Sequence, residues 1–97
     1  MNEKDNINHI YDIASKRIKF FRKYRGLTQE QLSMNSTFSR GFIGNIESVK
    51  THQTFSLGVL YYISIVLDIP IELFVKENID EELTRMGIDK NLLKQQK

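Results

Sequence analysis

The stretch from Thr37 to Ser48 contains the residues whose types and spacing could do chemistry. We place these residues about 100° apart around a helix that begins after Ser39, and they divide into two faces. One face is apolar apart from a single carboxylate, and its members are Phe42, Ile43, Ile46 and Glu47. The opposite face is small and polar with Arg40 at its edge, and its members are Gly41, Gly44, Asn45 and Ser48.

The small face allows two interpretations. Two glycines inside one helix cost roughly 1 kcal/mol each against alanine, which suggests that something comes very close to the backbone. That neighbour is either the wall of a DNA groove or another helix of the same protein. Asn45 can pair with both N6 and N7 of an adenine, or it can bond only a phosphate or water. Arg40 can bond guanine or phosphate, and its place at the helix start favours phosphate.

Length and composition limit the class of protein. The 97 residues fit one small domain with tails, and the absence of cysteine excludes disulfides and cysteine zinc sites. No apolar run reaches the ~18 residues of a membrane helix, so we expect no membrane partner. The polar N-terminus does not resemble a signal peptide, and we expect a cytoplasmic location.

The positive charge is concentrated in one block. Between positions 14 and 56 eight basic residues face two acidic ones, a net charge of +6, while the segments on either side each sum to −2. Such a block favours a polyanion as partner, although any single lysine can be plain surface charge. The residues expected to steer DNA through its backbone without sequence preference are Lys16, Lys19, Lys23 and Arg25.

Residue types give little sign of catalysis or metal binding. His9 and His52 are far apart in sequence and lack a third ligand at metal spacing, so we expect no metal site. No serine–histidine–acid or paired-carboxylate arrangement stands out. We therefore expect neither an enzyme nor a bound cofactor.

Short helices must position the small face. An apolar residue at every third or fourth position predicts a first helix over residues 8–25, ended by Gly26, with residues 1–6 frayed. Thr28 and Gln31 have the spacing of a capping box at the start of a second helix. Ser39 is the N-cap of the third.

The second half of the chain continues the helical pattern. Ser56 is the N-cap of a helix ending at Asp68, although its β-branched and aromatic residues make a buried strand a fair rival. Pro70 then occupies the first position of a short helix. A helix over residues 80–86 is expected to stop at Gly87, and residues 89–97 are expected to form another turn or two.

Three segments together resemble the Xre-type, lambda-repressor-like helix-turn-helix family. They are R-K-Y-R-G-L-T-Q-E-Q-L-S (22–33), S-R-G-F-I-G-N-I-E (39–47) and S-L-G-V-L-Y-Y-I-S-I-V-L-D-I-P-I-E-L-F (56–74), and the match covers about residues 14–75. The resemblance implies an all-α fold, a compact five-helix bundle with a helix-turn-helix and a short C-terminal helical tail. The DNA-binding domain is placed at residues 1–76, and the tail at residues 77–97 is a candidate for dimerisation.

The resemblance also implies roles for individual positions. Thr28 and Gln29 match residues that bond the DNA backbone. Arg22 and Glu47 match an internal ion pair between the first and third helices. The groove-facing positions of the recognition helix are Arg40, Gly41, Phe42, Gly44 and Asn45.

The chain departs from the family at two places. Thr37 stands where the turn between the second and third helices usually has glycine, which suggests an altered turn. The sequence E-S-V-K replaces the usual E-x-G-K and precedes a longer loop. Lys50 and Thr51 are counted as DNA contacts. Because the loop is longer, the sequence does not determine where these two residues and His52 lie relative to the phosphates.

These observations favour a sequence-specific DNA-binding transcriptional regulator, homodimeric on a palindromic operator. The alternatives are an antitoxin whose tail contacts a toxin, a restriction-modification controller, and an adaptor that binds proteins rather than DNA. The expected dimer surface combines the fourth and fifth helices with apolar residues of the tail that have little else to cover. Those tail residues are Ile79, Leu83, Met86, Leu92 and Leu93.

Overall fold

Helices form the regular secondary structure of the chain. The computed structural model describes residues 3–51 and 53–95, with side-chain exposure from residue 6 onward, and these ranges contain no strand. The elements are α1 (Glu3–Tyr24), α2 (Gln29–Met34), α3 (Arg40–Glu47), α4 (Leu57–Leu67), a 3₁₀ helix (Ile71–Phe74), α5 (Asp80–Arg85) and α6 (Lys90–Lys94). The predicted all-α class is confirmed, and the alternative of a buried strand in place of α4 is wrong.

Two boundaries differ from the expectation. α1 begins at Glu3, so residues 3–6 are helical rather than frayed, while Met1 and Asn2 lie outside the described residues. Ile7 in this first part of α1 is 51% exposed, so the helix extends beyond the hydrophobic core. The repeat of apolar residues that contact the core therefore does not show where the helix begins. The fifth element is a 3₁₀ helix that follows Pro70, rather than an α-helix that includes it.

Hydroxyl side chains start three of the helices at the predicted places. The Thr28 hydroxyl accepts a hydrogen bond from the amide of Gln31, whose own side chain accepts one from the Thr28 amide, which completes the capping box. The Ser39 hydroxyl accepts from the amide of Phe42 at 3.1 Å. Ser56 caps α4 in the same way. Each cap satisfies an amide that has no partner within its helix.

Left-handed residues end α1, α4 and α5. Gly26 has φ +75° and Gly87 has φ +77°, a region where glycine carries no steric penalty. Asp68 ends α4 with φ 55°. Arg25 stabilises that end, because its guanidinium donates to the carbonyls of Leu67 at 2.7 Å and Asp68 at 2.8 Å.

One hydrophobic core joins the helices from α1 to α5. Its largest fully buried side chains include Phe21 of α1 and Phe74 of the 3₁₀ helix, whose ring centroids are 5.4 Å apart. Ile43 and Ile46 bring α3 into the same cluster. Because α3 is anchored through these two side chains, its opposite face is left at the surface.

The C-terminal tail belongs to this core. Ile79 is 1% exposed and Leu83 is 0% exposed, and Met86 and Leu93 pack partly buried against the same cluster. Leu92 alone of the five predicted dimer residues is largely exposed, at 53%. The expectation that these residues have little within their own chain to cover is therefore wrong, because the tail folds back onto the bundle.

Arg17 of α1 anchors the start of the tail. Its Nη1 donates to the carbonyls of Leu73 at 2.9 Å and Lys76 at 2.7 Å, and its Nη2 donates to that of Glu77 at 2.6 Å. Burial lowers the pKa of Arg17 from its usual value, and carboxylates of α5 oppose that shift. These bonds satisfy three carbonyls at the point where the 3₁₀ helix gives way to the tail.

Candidate nucleic-acid interface

The two faces of α3 lie as its helical spacing predicts. Ile43 and Ile46 are 0% exposed, and Glu47 is buried beside them. Gly41 and Asn45 are exposed on the opposite side, and Gly44 is half-buried. The small and polar face of the helix therefore lies at the molecular surface.

The glycines on this face are not explained by packing within the described chain. A Cβ built on Gly41 meets no atom within 4 Å. A Cβ built on Gly44 would lie 3.4 Å from Oε1 of Gln29, which is ordinary van der Waals contact with a flexible side chain. Tight packing against another helix, the second interpretation of the glycines, thus has no support at Gly41.

A buried ion pair fixes the angle of α3. Arg22 donates to Glu47 through two bonds, Nε to Oε2 at 2.6 Å and Nη2 to Oε1 at 3.0 Å, as the resemblance implied. A third guanidinium bond reaches the carbonyl of Leu27 at 2.6 Å. The paired side chains are 7% and 2% exposed, so this fork holds α1 and α3 together away from solvent.

Gln29 extends this ion pair to α2. Its Nε2 donates to Oε1 of Glu47 at 3.1 Å, so one side chain of α3 is tied to both preceding helices. The resemblance implies that Gln29 bonds the DNA backbone. Its bond to Glu47 joins residues 18 positions apart, so their spacing in the sequence does not predict it. Oε1 of Gln29 lies beside Gly44, 3.4 Å from a Cβ built there.

The capping box uses two of the amides at the start of α2. The amides of Thr28 and Gln31 are both occupied by the capping box. The Thr28 hydroxyl is also used there, and Thr28 therefore has a structural role. Gln29 and Glu30 supply the amides of the first turn that the box leaves unused.

The turn between α2 and α3 accommodates Thr37 without a left-handed residue. No residue in this turn has a positive φ. Ser33 donates through its hydroxyl to the carbonyl of Phe38 at 2.8 Å, and the amide of Phe38 donates to the hydroxyl of Ser36 at 3.2 Å. These serine bonds take the place of the usual glycine geometry.

Phe42 has a packing role that its predicted groove position did not show. Its ring centroid lies 5.2 Å from that of Phe38, and Phe38 packs edge-on against Tyr62 of α4 at 5.5 Å. Phe42 is only partly exposed, and it also contacts the core. It therefore supports the start of α3 more than it extends from the surface.

Three arginines of the basic block are bound within the fold. Arg17 and Arg25 bond carbonyls, and Arg22 pairs with Glu47. Arg25, which the sequence predicts to steer DNA, is exposed, bonds the carbonyls that end α4 and lies over the ring of Tyr24 at 5.0 Å. The other cations of the block are Lys16, Lys23, Arg40 and Lys50, which are exposed, and Lys19, which is half-buried.

Lysines surround a cleft beside the small face. The cleft has a volume of about 240 Å³. It is lined by Lys16 and Lys19 of α1, by Lys50 of the loop after α3, and by Gln29 and Gly44. The path of Lys50, which its sequence left open, therefore runs toward α1. Lysines at this rim give the surface the positive potential that a phosphate backbone requires.

Thr51 and Lys23 are also predicted to contact the DNA backbone, and they lie outside the cleft. The Thr51 hydroxyl donates to the carbonyls of Asn45 at 2.8 Å and Ser48 at 3.0 Å, so it closes the end of α3. Lys23 borders a separate groove between α1 and α6, beside Tyr24 and Leu92. Neither residue lines the cleft.

The histidines do not form a metal site in the part of the chain that the structure describes. No three His, Cys, Asp or Glu side chains among those residues are grouped so as to hold a metal ion. His9 contacts Glu77 at 3.2 Å, and His52 lies outside the described residues. None of the described helices has the length and apolar character needed to cross a membrane.

Comparison with protein-family models, with curated proteins and with solved structures finds no match to this chain. The function of the chain is therefore inferred from the geometry of α3 and of the lysine-lined cleft beside it.

Proposed function

We propose that the chain is a sequence-specific DNA-binding regulator that inserts α3 into the major groove. The observation that carries this proposal is the exposed face of Gly41, Gly44 and Asn45, which has no bulky side chain and lies beside a lysine-lined cleft. The major groove is about 12 Å wide and admits one α-helix. A face without long side chains lets the helix backbone approach the base edges closely.

In this proposal one residue contacts a base and the others contact the phosphate backbone. Asn45 pairs with an adenine through its amide, and Arg40 grips a phosphate at the start of α3. Lys16, Lys19 and Lys50 neutralise phosphates beside the groove. Because few long side chains reach the bases, the shape of the DNA contributes much of the sequence preference.

One helix reads few base pairs, so the active species is a homodimer. Two copies place their α3 helices about one helical turn, roughly 34–36 Å, apart on a palindromic site. A protein of this kind acts on chromosomal or phage DNA in the cytoplasm.

Selection of bound sites from random duplex DNA tests the proposal. We expect enrichment of a palindromic sequence, and binding to that sequence that weakens steeply as salt increases. The rival class is an adaptor that recognises proteins, and it predicts no enriched sequence and no salt-sensitive band shift. That result would exclude DNA binding as the function.

Asn45→Ala should relax base choice at one position of each half-site. Loss of the paired hydrogen bonds removes roughly 1–3 kcal/mol of discrimination between adenine and the other bases. Repeating the selection with the variant measures this, and Asn91→Ala on α6 is the matched control, since Asn91 is also exposed. An unchanged preference at every position would show that Asn45 does not read a base.

Lys19→Ala should weaken binding to all sequences by about the same factor. Removing one phosphate contact reduces the slope of log K against log salt by about 0.9. Titrations at several salt concentrations give the slope, with Lys90→Ala on α6, an exposed lysine that does not line the cleft, as the control. A slope equal to that of the unmodified protein would place Lys19 away from the phosphates.

A further inference from the structure

The outer side of α4 is an exposed surface without charge. Leu57 is 74% exposed, Tyr61 56% and Ile65 55%, and they follow one another at intervals of four residues. Gly58 and Tyr62 flank this row and are also exposed. We call these five residues the α4 surface. Most of its members are large and apolar, and none of them belongs to the core.

The α4 surface is complementary to a second copy of itself. Its row of three side chains is symmetric about Tyr61, so an antiparallel copy places Leu57 against Ile65 of the partner and the two Tyr61 rings beside the axis. Gly58 has no side chain, and a Cβ there would meet only Oγ of its own Ser56 at 3.7 Å, so another helix can approach closely. A two-fold contact of this kind is the commonest way for identical chains to associate.

Charge supports the antiparallel arrangement. α4 contains no charged residue from Leu57 to Leu67, so its pairing with a second copy brings no like charges together. In the antiparallel arrangement Asp68, at the C-terminal end of one α4, lies close to the N-terminal turn of the other. That turn carries the partial positive charge of the helix dipole, which favours a nearby carboxylate.

We propose that a second copy of this chain docks on the α4 surface and forms the homodimer. This names the dimer interface of the proposed regulator: it keeps the fourth helix of the dimer surface expected from the sequence and leaves out the fifth helix and the tail. A stable interface covers about 800 Å² on each partner, roughly an eighth of the 6175 Å² surface of this chain. The five residues of the α4 surface, four of them with side chains, cover less than that. The dimer is therefore weak in free solution and is completed on DNA, where two adjacent half-sites hold the copies together.

Sedimentation of the full chain without DNA tests the interface independently of DNA binding. The unmodified protein should pass from monomer to dimer with a dissociation constant of roughly 10–100 μM, as expected for a small interface. Ile65→Glu should remain monomeric through that range, because each copy would bury an unpaired carboxylate against Leu57 of the partner. Tyr61→Lys is a second variant with the same expected loss, and circular dichroism checks that both remain folded.

Leu92→Glu is the matched control, because Leu92 is apolar and 53% exposed but lies on α6. It should dimerise as the unmodified protein does. A chain that stays monomeric up to about 1 mM would overturn the proposal, as would dimers that Leu92→Glu abolishes and Ile65→Glu leaves intact. If dimers form but the selected DNA shows no enriched sequence, the interface stands and the proposed function fails.

Discussion

Glu47→Leu should lower the free energy of unfolding by roughly 3–5 kcal/mol, because the change leaves the Arg22 guanidinium buried without its carboxylate. Both side chains are nearly inaccessible to water, at 7% and 2% exposure, so solvent cannot replace the lost partner. Gln29 loses its acceptor in the same variant. Urea denaturation followed by circular dichroism measures the change.

Two comparisons separate the buried pair from a general effect of removing charge. Glu81→Leu removes one member of the exposed Arg85–Glu81 pair, whose atoms are 3.8 Å apart, and should change the free energy of unfolding by no more than about 0.5 kcal/mol. The double variant Arg22→Met with Glu47→Leu should recover much of the lost stability, since no unpaired charge remains. A loss below about 1 kcal/mol in Glu47→Leu would mean that the pair does not hold α3 in place.

Gly41→Phe should reduce DNA affinity at least about 100-fold, equivalent to about 2.8 kcal/mol, while leaving the fold intact. The aromatic ring would occupy the space between the α3 backbone and the base edges. Gly41 is exposed, and within the described chain a Cβ at this position meets nothing within 4 Å, so the side chain can leave the helix without a clash at its first atom. Band shifts with the selected site measure the affinity, and thermal denaturation measures stability.

Gly41→Ala provides the graded comparison. Alanine in place of glycine should stabilise the helix by roughly 0.5–1 kcal/mol, with a smaller loss of affinity than phenylalanine causes. Lys90→Phe places the same ring on the exposed side of α6 and should leave DNA binding unchanged. Affinity that is insensitive to the size of residue 41 would show that this face of α3 does not enter the groove.

The spacing of residues within α3 predicts which of its faces is buried, but it does not predict the charges on the surrounding surface. Ile43 and Ile46 repeat on one side of the helix and Gly41 and Asn45 on the other, so helical geometry alone separates the two faces. Ser39 and Thr28 likewise start their helices through bonds to amides three residues away. These interactions lie within single turns of chain, where sequence is directly informative.

The charge of the surface depends on contacts between distant residues. Arg17 bonds carbonyls 56 to 60 positions away, and Arg25 bonds carbonyls more than 40 positions away. A count of basic residues treats these arginines as free surface charge, whereas Arg17 is buried and the guanidinium of Arg25, although exposed, is bonded to two carbonyls. The same limit applies to Gln29, because its bond to Glu47 is visible only after α2 and α3 are packed.

The inward-facing tail has a consequence for any protein that would capture it. Pulling the tail away exposes Ile79, Leu83 and Ile88, and each fully buried side chain of this size contributes roughly 1.5–3 kcal/mol. Their sum is comparable to the whole stability of a small domain, about 5–15 kcal/mol. Detachment of the tail is thus costly on the scale of the stability of the whole domain. A toxin that recognised an extended tail would have to supply a free energy of that size to expose it, which disfavours the antitoxin alternative.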